Sequence, residues 1–368
     1  MTTVGIICEY NPFHNGHARQ FRLIREQFGD DCRIICLMSG SFVQRGEPAI
    51  FDKYVRARAA VACGADVVLE LPVNYALSSA EGFASGGVKI LSELGVDRLC
   101  FGCESDDGNL IMSTASALLL PQTDEKIRAA LKAGISYAAA REQAVSEVFP
   151  PGAAVLQHPN DILAVEYCKA ILRQNSLLNV FPICRHGDYH AVNADPENPS
   201  ATAIRGLIAD GCDLSFYLPP AACEVFRGCK TYSPAAGERA MLARLTGMSE
   251  EDFSKLPYGS EGLWRKFMHA CRSCSSTQQI IDTTKSKRYA RSRIQRMLLC
   301  AVLGLTADDL SRPLEYVRIL SFSEQGRQVL RRFKVCPLPL VCAEERVRNS
   351  EFYEIECRCE RMFSLFLR

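Results

Sequence analysis

Short apolar runs alternate with helix-like segments through the first half of the chain, and this alternation limits the fold more than any other feature. The runs are 4–8, 33–38, 66–71, 98–102 and 180–184. Short continuous runs joined by amphipathic helices are typical of parallel strands covered on both faces. We therefore predict an α/β fold with a parallel sheet. Ligands of such sheets bind at the carboxyl ends of the strands.

The alternation stops after Asp210-Gly211, and the remainder has the pattern of helices joined by loops. Just before this point, residues 200–209 are predicted to form a helix with Ser200 as its cap. A chain of 368 residues is too long for one ordinary core. We therefore expect two domains, an α/β domain over 1–208 and a mainly helical domain over 209–368.

The composition, 48% hydrophobic and 23% charged, is that of a soluble globular protein. No uncharged apolar run reaches the ~18 residues that a membrane span needs. Residues 1–10 read as a core strand rather than a leader, which favours the cytoplasm. Two pairs, Cys100/Cys103 and Cys271/Cys274, have the spacing of zinc half-sites. They lie about 170 residues apart, and we expect no metal site from them.

The motif with the clearest chemistry is Phe13-His14-Asn15-Gly16-His17, which follows the first predicted strand and opens a helix. Gly16 allows the backbone to approach a nucleotide, and the helix amino terminus offers N–H groups to phosphate oxygens. His14 and His17 can donate hydrogen bonds to a triphosphate and stabilise charge on its α-phosphate. The motif therefore predicts a nucleotide site, although a pair of surface histidines beside a turn has the same short pattern.

A second element is Ser200-Ala201-Thr202-Ala203-Ile204-Arg205. Thr202 and Arg205 are one helical turn apart, so their hydroxyl and guanidinium can face the same phosphates. The residues Ser39, Ser41 and Arg45 follow the second strand and are expected to face the same site. Lys53 and Arg56 are instead expected on a solvated helix face.

Together the two motifs resemble the nucleotidylyltransferase superfamily, which has a Rossmann-like domain. Four segments are more specific and resemble the tRNA(Met) cytidine acetate ligase family: Gly5–His17, Met38–Pro48, Ser200–Arg205 and Ser292–Arg296. The resemblance implies that ATP and acetate give acetyl-adenylate and pyrophosphate. The acetyl group then passes to N4 of the wobble cytidine in the anticodon arm of elongator tRNA(Met). Mg²⁺ is expected to share the phosphate charge, although no acidic cluster identifies a metal site.

The two motifs themselves make His14, His17, Thr202 and Arg205 the catalytic candidates. The resemblance adds nucleotide contacts. Its ATP-binding stretch falls on Ile7, Cys8, Glu9, Tyr10, Asn11, Pro12, Phe13, His14, Asn15, Gly16, His17, Ala18, Arg19 and Gln20. Further nucleotide contacts fall on Gly102, Asn160, Arg185 and His186.

A basic stretch, residues 283–296, contains no acidic residue. Its cations are Lys285, Lys287, Arg288, Arg291, Arg293 and Arg296. If the stretch is one helix, 285, 288, 291 and 295 or 296 share a side, and Ile294, Met297 and Leu298 face inward. Because the net charge is only +1, a nucleic-acid footprint has to be local, and we predict that this stretch binds tRNA.

Two other functions remain open from the sequence. One is a nucleotidylyltransferase that acts on a small phosphorylated substrate without RNA. The other is an RNA-binding regulator that keeps a nucleotide pocket but catalyses nothing. The basic stretch speaks against the first, and the intact pairs His14/His17 and Thr202/Arg205 speak against the second. Oligomeric state is not predicted.

Overall fold

The computed structural model describes residues 1–105, 107–184, 200–343 and 345–368. The strands in these ranges are β1 (Thr3–Cys8), β2 (Arg33–Ser39), β3 (Phe42–Val43), β4 (Glu47–Pro48), β5 (Val67–Leu71), β6 (Arg98–Cys103), β7 (Asn179–Cys184), β8 (Val317–Phe322) and β9 (Leu340–Val341). All five predicted strands are confirmed, as β1, β2, β5, β6 and β7.

The helices of the first half are α1 (Asn15–Phe28), α2 (Lys53–Ala62), α3 (Val73–Ala76), α4 (Ala80–Glu93), α5 (Gly108–Leu118), α6 (Pro121–Lys132), α7 (Tyr137–Val148), α8 (Gly152–Val155), α9 (Pro159–Arg173) and α10 (Ala201–Ala209). Those of the second half are α11 (Pro220–Phe226), α12 (Pro234–Thr246), α13 (Glu250–Ser254), α14 (Leu263–Ser273), α15 (Thr277–Thr284), α16 (Arg291–Leu303), α17 (Ala307–Ser311), α18 (Glu324–Phe333) and α19 (Glu351–Phe363). A 3-10 turn, Ser364–Phe366, follows.

Seven strands form one sheet in the order β7-β6-β1-β2-β5-β8-β9. The first five in this order are mutually parallel, which confirms the predicted sheet. The chain runs outward from β1 through β2 to β5 and then returns to β6 on the other side of β1. The strand order therefore reverses between β1 and β6, and such a reversal opens a crevice at the carboxyl ends of the strands.

The second half of the chain contributes a strand pair to this sheet. Strand β8 pairs antiparallel with β5, with Val67 opposite Phe322, and β9 extends the sheet from β8. The sequence analysis treated the second half as mainly helical and did not predict β8, which carries polar residues at Arg318 and Ser321. Most helices of the second half surround a separate apolar core, which includes Phe253 and Phe267 and is joined by Phe42 and Leu77 from the first half. Helices α11 and α18 pack instead against the two faces of the sheet. A domain boundary near 208 stays a prediction.

The basic stretch does not form one helix. Helix α15 ends at Thr284, and α16 begins only at Arg291, with Ala290 as its cap. The intervening residues are a link, so the cations at 285 and 288 share no helix face with Arg291. The prediction that Ile294, Met297 and Leu298 face inward is confirmed, because all three are buried.

Lys53 and Arg56 were predicted on a solvated face, and this is wrong, because both are buried on α2. Lys53 Nζ lies 2.9 Å from Glu70 Oε1 on β5 and 3.1 Å from Glu360 Oε2 on α19. Burial disfavours the ammonium, yet attraction to the two carboxylates outweighs this and raises the pKa of Lys53. The two ion pairs of Lys53 thus join β5 of the sheet to α19.

Glu356 on α19 gives this buried cluster a pH dependence. Burial and the charge of Glu70 raise the pKa of Glu356 to about 7, although Tyr316, Lys53 and Arg318 favour its ionised form. The folded protein therefore holds this proton to higher pH than the unfolded chain does. The stabilisation is complete below the ordinary pKa of 4.5 and is lost as the pH rises through about 7.

We expect the free energy of unfolding of the wild type, relative to Glu356→Gln, to fall by about 2–3 kcal/mol between pH 5 and pH 8. The amide keeps an acceptor for the Tyr316 hydroxyl but does not titrate. Urea unfolding of both proteins across this range measures the difference. A difference that does not vary with pH would show that Glu356 has the same pKa in the folded and unfolded states.

Candidate active site

A cavity of ≈ 380 Å³ opens at the predicted edge of the sheet, between the ends of β1 and β6. Its lining includes residues from β1, the loop that follows it, α1, the end of β6, α9, and α10 with its cap: Ile6, Ile7, Cys8, Glu9, Tyr10, Asn11, His14, Gly16, His17, Arg19, Gln20, Phe101, Gly102, Glu104, Pro159, Asn160, Ile162, Leu163, Tyr167, Ser200, Ala201, Thr202 and Arg205. All four predicted catalytic residues therefore line one cavity.

The two histidines form the amino-terminal cap of α1. His14 Nδ1 accepts from the N–H of Gly16 at 3.1 Å, and His17 Nδ1 accepts from the N–H of His14 at 3.2 Å. The two rings stack with centroids 3.8 Å apart. A Cβ on Gly16 would lie 2.9 Å from Cε1 of His14, so glycine at this position makes room for the cap as well as for a ligand.

This cap selects the tautomer of both rings. Because each Nδ1 accepts a backbone hydrogen bond, the proton of a neutral ring is on Nε2. Each neutral histidine ring therefore carries its N–H donor on Nε2. Donors fixed in this way lose little entropy when phosphate binds, and they suit the stabilisation of developing charge.

Ten of the fourteen residues in the predicted ATP-binding stretch line the cavity, and four do not. The four are Pro12, Phe13, Asn15 and Ala18. Phe13 is fully buried and packs edge-on against Tyr10 beneath the loop. The Asn15 side chain donates to the carbonyl of Phe216 at 3.0 Å. Phe13 and Asn15 thus support the loop after β1 on the side away from the cavity.

Thr202 and Arg205 lie on the same side of α10, as predicted. Arg205 Nη2 donates to Thr202 Oγ1 at 3.1 Å, and Arg205 Nη1 donates to the carbonyl of Asn11 at 2.9 Å. Ser200 caps the helix by accepting from the N–H of Ala203. Arg205 thus fixes the position of residues 9–14, the histidine loop, relative to α10. The two motifs therefore form one site.

Gly102 and Asn160 also line the cavity. Asn160 Nδ2 donates to Glu104 Oε1 at 2.7 Å, which fixes its amide beside the end of β6. The other two predicted nucleotide contacts, Arg185 and His186, lie outside the described residues.

The sequence analysis missed the hairpin β3-β4, from which Val43, Gln44, Arg45 and Glu47 line the cavity. Arg45 faces the site as predicted, but Ser39 and Ser41 do not line it. Ser41 instead donates to Glu360 at 2.8 Å. Two-residue strands carry too little periodicity to be predicted, which explains the omission.

An apolar part of the lining was also missed. It consists of Ala80 and Phe83 at the start of α4, Phe101 on β6, and Ile162, Leu163 and Tyr167 on α9. Phe101 and Tyr167 have ring centroids 5.6 Å apart. These residues read as ordinary core positions in the sequence, so no local signal distinguished them. Their surface suits the face of a flat aromatic ring.

Arg56 connects the loops around the cavity from below. It is fully buried, and its guanidinium donates to the carbonyls of Phe51 and Ser39, each at 3.1 Å. It also donates to the carbonyls of Glu9 and Gly40. Burial lowers the pKa of Arg56 to about 10, so it stays charged at neutral pH. The Arg56 side chain thus fixes the segments at the ends of β1 and β2.

We expect Arg56→Lys to lower the free energy of unfolding by about 3 kcal/mol, because an ammonium cannot satisfy the same carbonyls and leaves some of them unpaired. Arg58→Lys is the matched control. Arg58 is exposed on the same helix, and its replacement should change stability by less than about 0.5 kcal/mol. Urea unfolding measures both. Equal effects would contradict the role given to Arg56.

The cations of the basic stretch differ in exposure. Lys285, Lys287 and Arg288 are exposed, and Arg288 pairs with Glu261 at 2.9 Å. Arg291 is half-buried and pairs with Asp282 at 2.6 Å.

The remaining two cations face the protein. Arg293 Nη2 donates to the carbonyl of Tyr258 at 2.8 Å. Arg296 is buried, and its Nη1 donates to the carbonyl of Gln44 at 3.3 Å. The stretch thus has an exposed end around 285–288 and an end at Arg296 that contacts the hairpin of the cavity.

The parallel sheet with a His-x-Gly-His cap at its reversal point defines the class of the protein. A family model described as HIGH Nucleotidyl Transferase matches residues 1–368. Among curated relatives, the tRNA(Met) cytidine acetate ligase of Syntrophotalea carbinolica is 36% identical and covers 100% of this chain and 94% of the relative. That of Acetivibrio thermocellus is 33% identical, with 93% and 88% covered.

Two solved structures also match this chain. Thermotoga maritima TmcAL without ligand matches with a TM-score of 0.91 at 30% identity, over 100% of this chain and 96% of that one. Its form bound with alpha-thio ATP matches with a TM-score of 0.87, over 100% and 95%. The chain therefore belongs to the HIGH nucleotidyl transferase family and, within it, to the tRNA(Met) cytidine acetate ligases.

Proposed function

We propose that this chain converts ATP and acetate to acetyl-adenylate and transfers the acetyl group to N4 of the wobble cytidine of elongator tRNA(Met). The observation that carries the proposal is the convergence of His14, His17, Thr202 and Arg205 on one cavity at the reversal point of the sheet. The names of the relatives and the nucleotide-bound neighbour support it.

The first step needs charge stabilisation and alignment more than acid–base chemistry. A carboxylate oxygen of acetate attacks the α-phosphorus of ATP, and pyrophosphate leaves. The Nε2–H groups of His14 and His17, with the Thr202 hydroxyl and the Arg205 guanidinium, supply donors for the phosphate oxygens. The apolar wall of Phe101 and its neighbours suits the adenine ring. In the second step the cytidine amine attacks the acetyl carbon, and AMP leaves.

Mg²⁺ is part of the proposal only as a companion of the nucleotide. In the described residues, no group of three or more His, Cys, Asp or Glu side chains could hold a metal ion. We therefore assign Mg²⁺ no protein ligand and no step. No helix in the same ranges is long and apolar enough to cross a membrane.

Pyrophosphate exchange into ATP tests the first step. We expect exchange that requires acetate. We expect His17→Ala to lower its rate about 100-fold or more, because the variant loses a phosphate donor and the hydrogen bond that His17 accepts from the N–H of His14. The purified protein is assayed with ATP, labelled pyrophosphate and a panel of short carboxylates, with and without tRNA. Exchange with none of them would contradict the proposal and favour nucleotidyl transfer onto a phosphorylated small molecule.

We propose that the exposed end of the basic stretch binds the anticodon arm, and that residues 209–368 serve mainly to present the tRNA. The support is positional. The exposed Lys285, Lys287 and Arg288 are in the same stretch as Arg296, which contacts the hairpin of the cavity. Arg291, Arg293 and Arg296 contribute to this surface chiefly by holding the stretch in place.

For this surface we expect Lys285→Gln/Lys287→Gln to weaken tRNA binding about tenfold at moderate salt and to reduce the slope of log affinity against log salt by about 2. Filter binding across a salt series measures both. The control is Lys126→Gln/Lys132→Gln, which removes two exposed lysines from α6. An equal loss in the control would show that only total charge matters.

A further inference from the structure

Glu9 places a carboxylate in the cavity beside the histidine loop. It is the first residue after β1, it lines the cavity, and it is only partly exposed. Its Oε1 accepts from the N–H of Gln44 at 2.7 Å, and Arg56 holds its carbonyl. Its backbone and side chain are thus fixed from two directions, between the histidine loop and the hairpin β3-β4.

The other two carboxylates of the cavity lining are engaged elsewhere. Both oxygens of Glu104 accept from the start of α9, from Asn160 Nδ2 at 2.7 Å and from the N–H of Asp161 at 2.9 Å. Glu47 Oε1 accepts from Gln295 Nε2 at 3.3 Å. Within the described parts of the chain, Glu9 and Glu47 accept one hydrogen bond each, but only Glu9 accepts it from a backbone N–H and lies on the loop between β1 and α1 that also carries His14.

The hairpin that holds Glu9 also contacts the basic stretch. The carbonyl of Gln44 accepts from Arg296, and a Cβ on Gly46 would lie 2.6 Å from the backbone nitrogen of Arg296. The hairpin is therefore the wall of the cavity that adjoins α16. An RNA bound on the basic stretch would reach the cavity at this wall, where Glu9 and Glu47 are the two carboxylates of the lining.

The exocyclic amine of cytidine needs such a group. Its lone pair is delocalised into the ring, so the nitrogen is a weak nucleophile and becomes strongly acidic as it bonds to carbon. A positioned base that removes a proton contributes about 10²–10⁴ to the rate of such a step. A glutamate oxygen is also the acceptor that pairs with the N4 amino group of cytosine in nucleic-acid recognition.

We propose that Glu9 binds the N4 amino group of the target cytidine and accepts its proton during acetyl transfer. The proposal rests on the proposed function of the chain. In the step, the cytidine nitrogen bonds to the acetyl carbon, the bond from that carbon to the phosphate oxygen of the adenylate breaks, and AMP leaves with its electron pair. One N4 proton passes to the Glu9 carboxylate, so no other reactant is required.

The surroundings of Glu9 suit a base. Burial raises the pKa of Glu9. The hydrogen bond from Gln44 and the positive charges of Arg45, Arg205 and Arg56 lower it, but the effect of burial is larger. A raised pKa makes the ionised carboxylate a stronger base than an exposed glutamate. The rate of transfer should therefore increase with pH as Glu9 loses its proton, and this increase should depend on residue 9.

The test separates the two half-reactions in Glu9→Gln. Acetyl-adenylate is formed on the enzyme from ATP and labelled acetate and is then chased with tRNA(Met) in a single turnover. We expect the rate of transfer to fall about 100-fold more than the rate of acetate-dependent exchange. The pH-dependent rise of transfer should disappear in Glu9→Gln. It should persist in Glu9→Asp, which keeps a carboxylate and also guards against misfolding of the glutamine variant.

Glu26→Gln, an exposed carboxylate on α1, should leave both rates at the wild-type value. Equal losses of exchange and transfer in Glu9→Gln would overturn the proposal and assign Glu9 to ATP or acetate binding. Transfer that keeps its rate and its pH profile would overturn it too. A wild-type protein without acetate-dependent exchange would instead overturn the proposed function, which makes the two failures distinguishable.

Discussion

The buried guanidinium of Arg56 is the interaction on which the geometry of the cavity depends. It reaches carbonyls on the segments that follow β1 and β2 and on the turn before α2. The carboxyl ends of parallel strands leave such carbonyls without partners inside the sheet, and a fork of N–H donors satisfies several at once. With these segments fixed, the histidine loop, the hairpin and Glu9 keep a constant spacing around the cavity.

The histidine motif shows how one short sequence meets a structural and a chemical need together. Each imidazole uses Nδ1 to satisfy an N–H at the start of α1, which leaves Nε2 as a donor. A serine or aspartate cap would satisfy the helix but would offer a nucleotide no N–H of this kind. The requirement for a cap and the requirement for phosphate donors therefore select the same residue type.

Much of the fold followed from the sequence because its signals are local. Apolar runs predicted the parallel strands, and the spacing of Thr202 and Arg205 predicted that they share a helix face. The burial of Lys53 and Arg56 was not predictable, because it depends on Glu70, Glu360 and loop carbonyls distant in sequence. The hairpin β3-β4 was too short to leave a pattern, and β8 has no alternation that marks it before β5 is known to be its partner.

The position of β8 has a consequence for synthesis of the protein. Strand β5 is an interior strand of the finished sheet, yet its neighbour β8 is encoded some 250 residues later, after most of the described helices. While the chain emerges from a ribosome, β5 is an open edge with unpaired backbone groups, which attract foreign strands. The enzyme thus completes this sheet only after the helices encoded between β5 and β8 have been made.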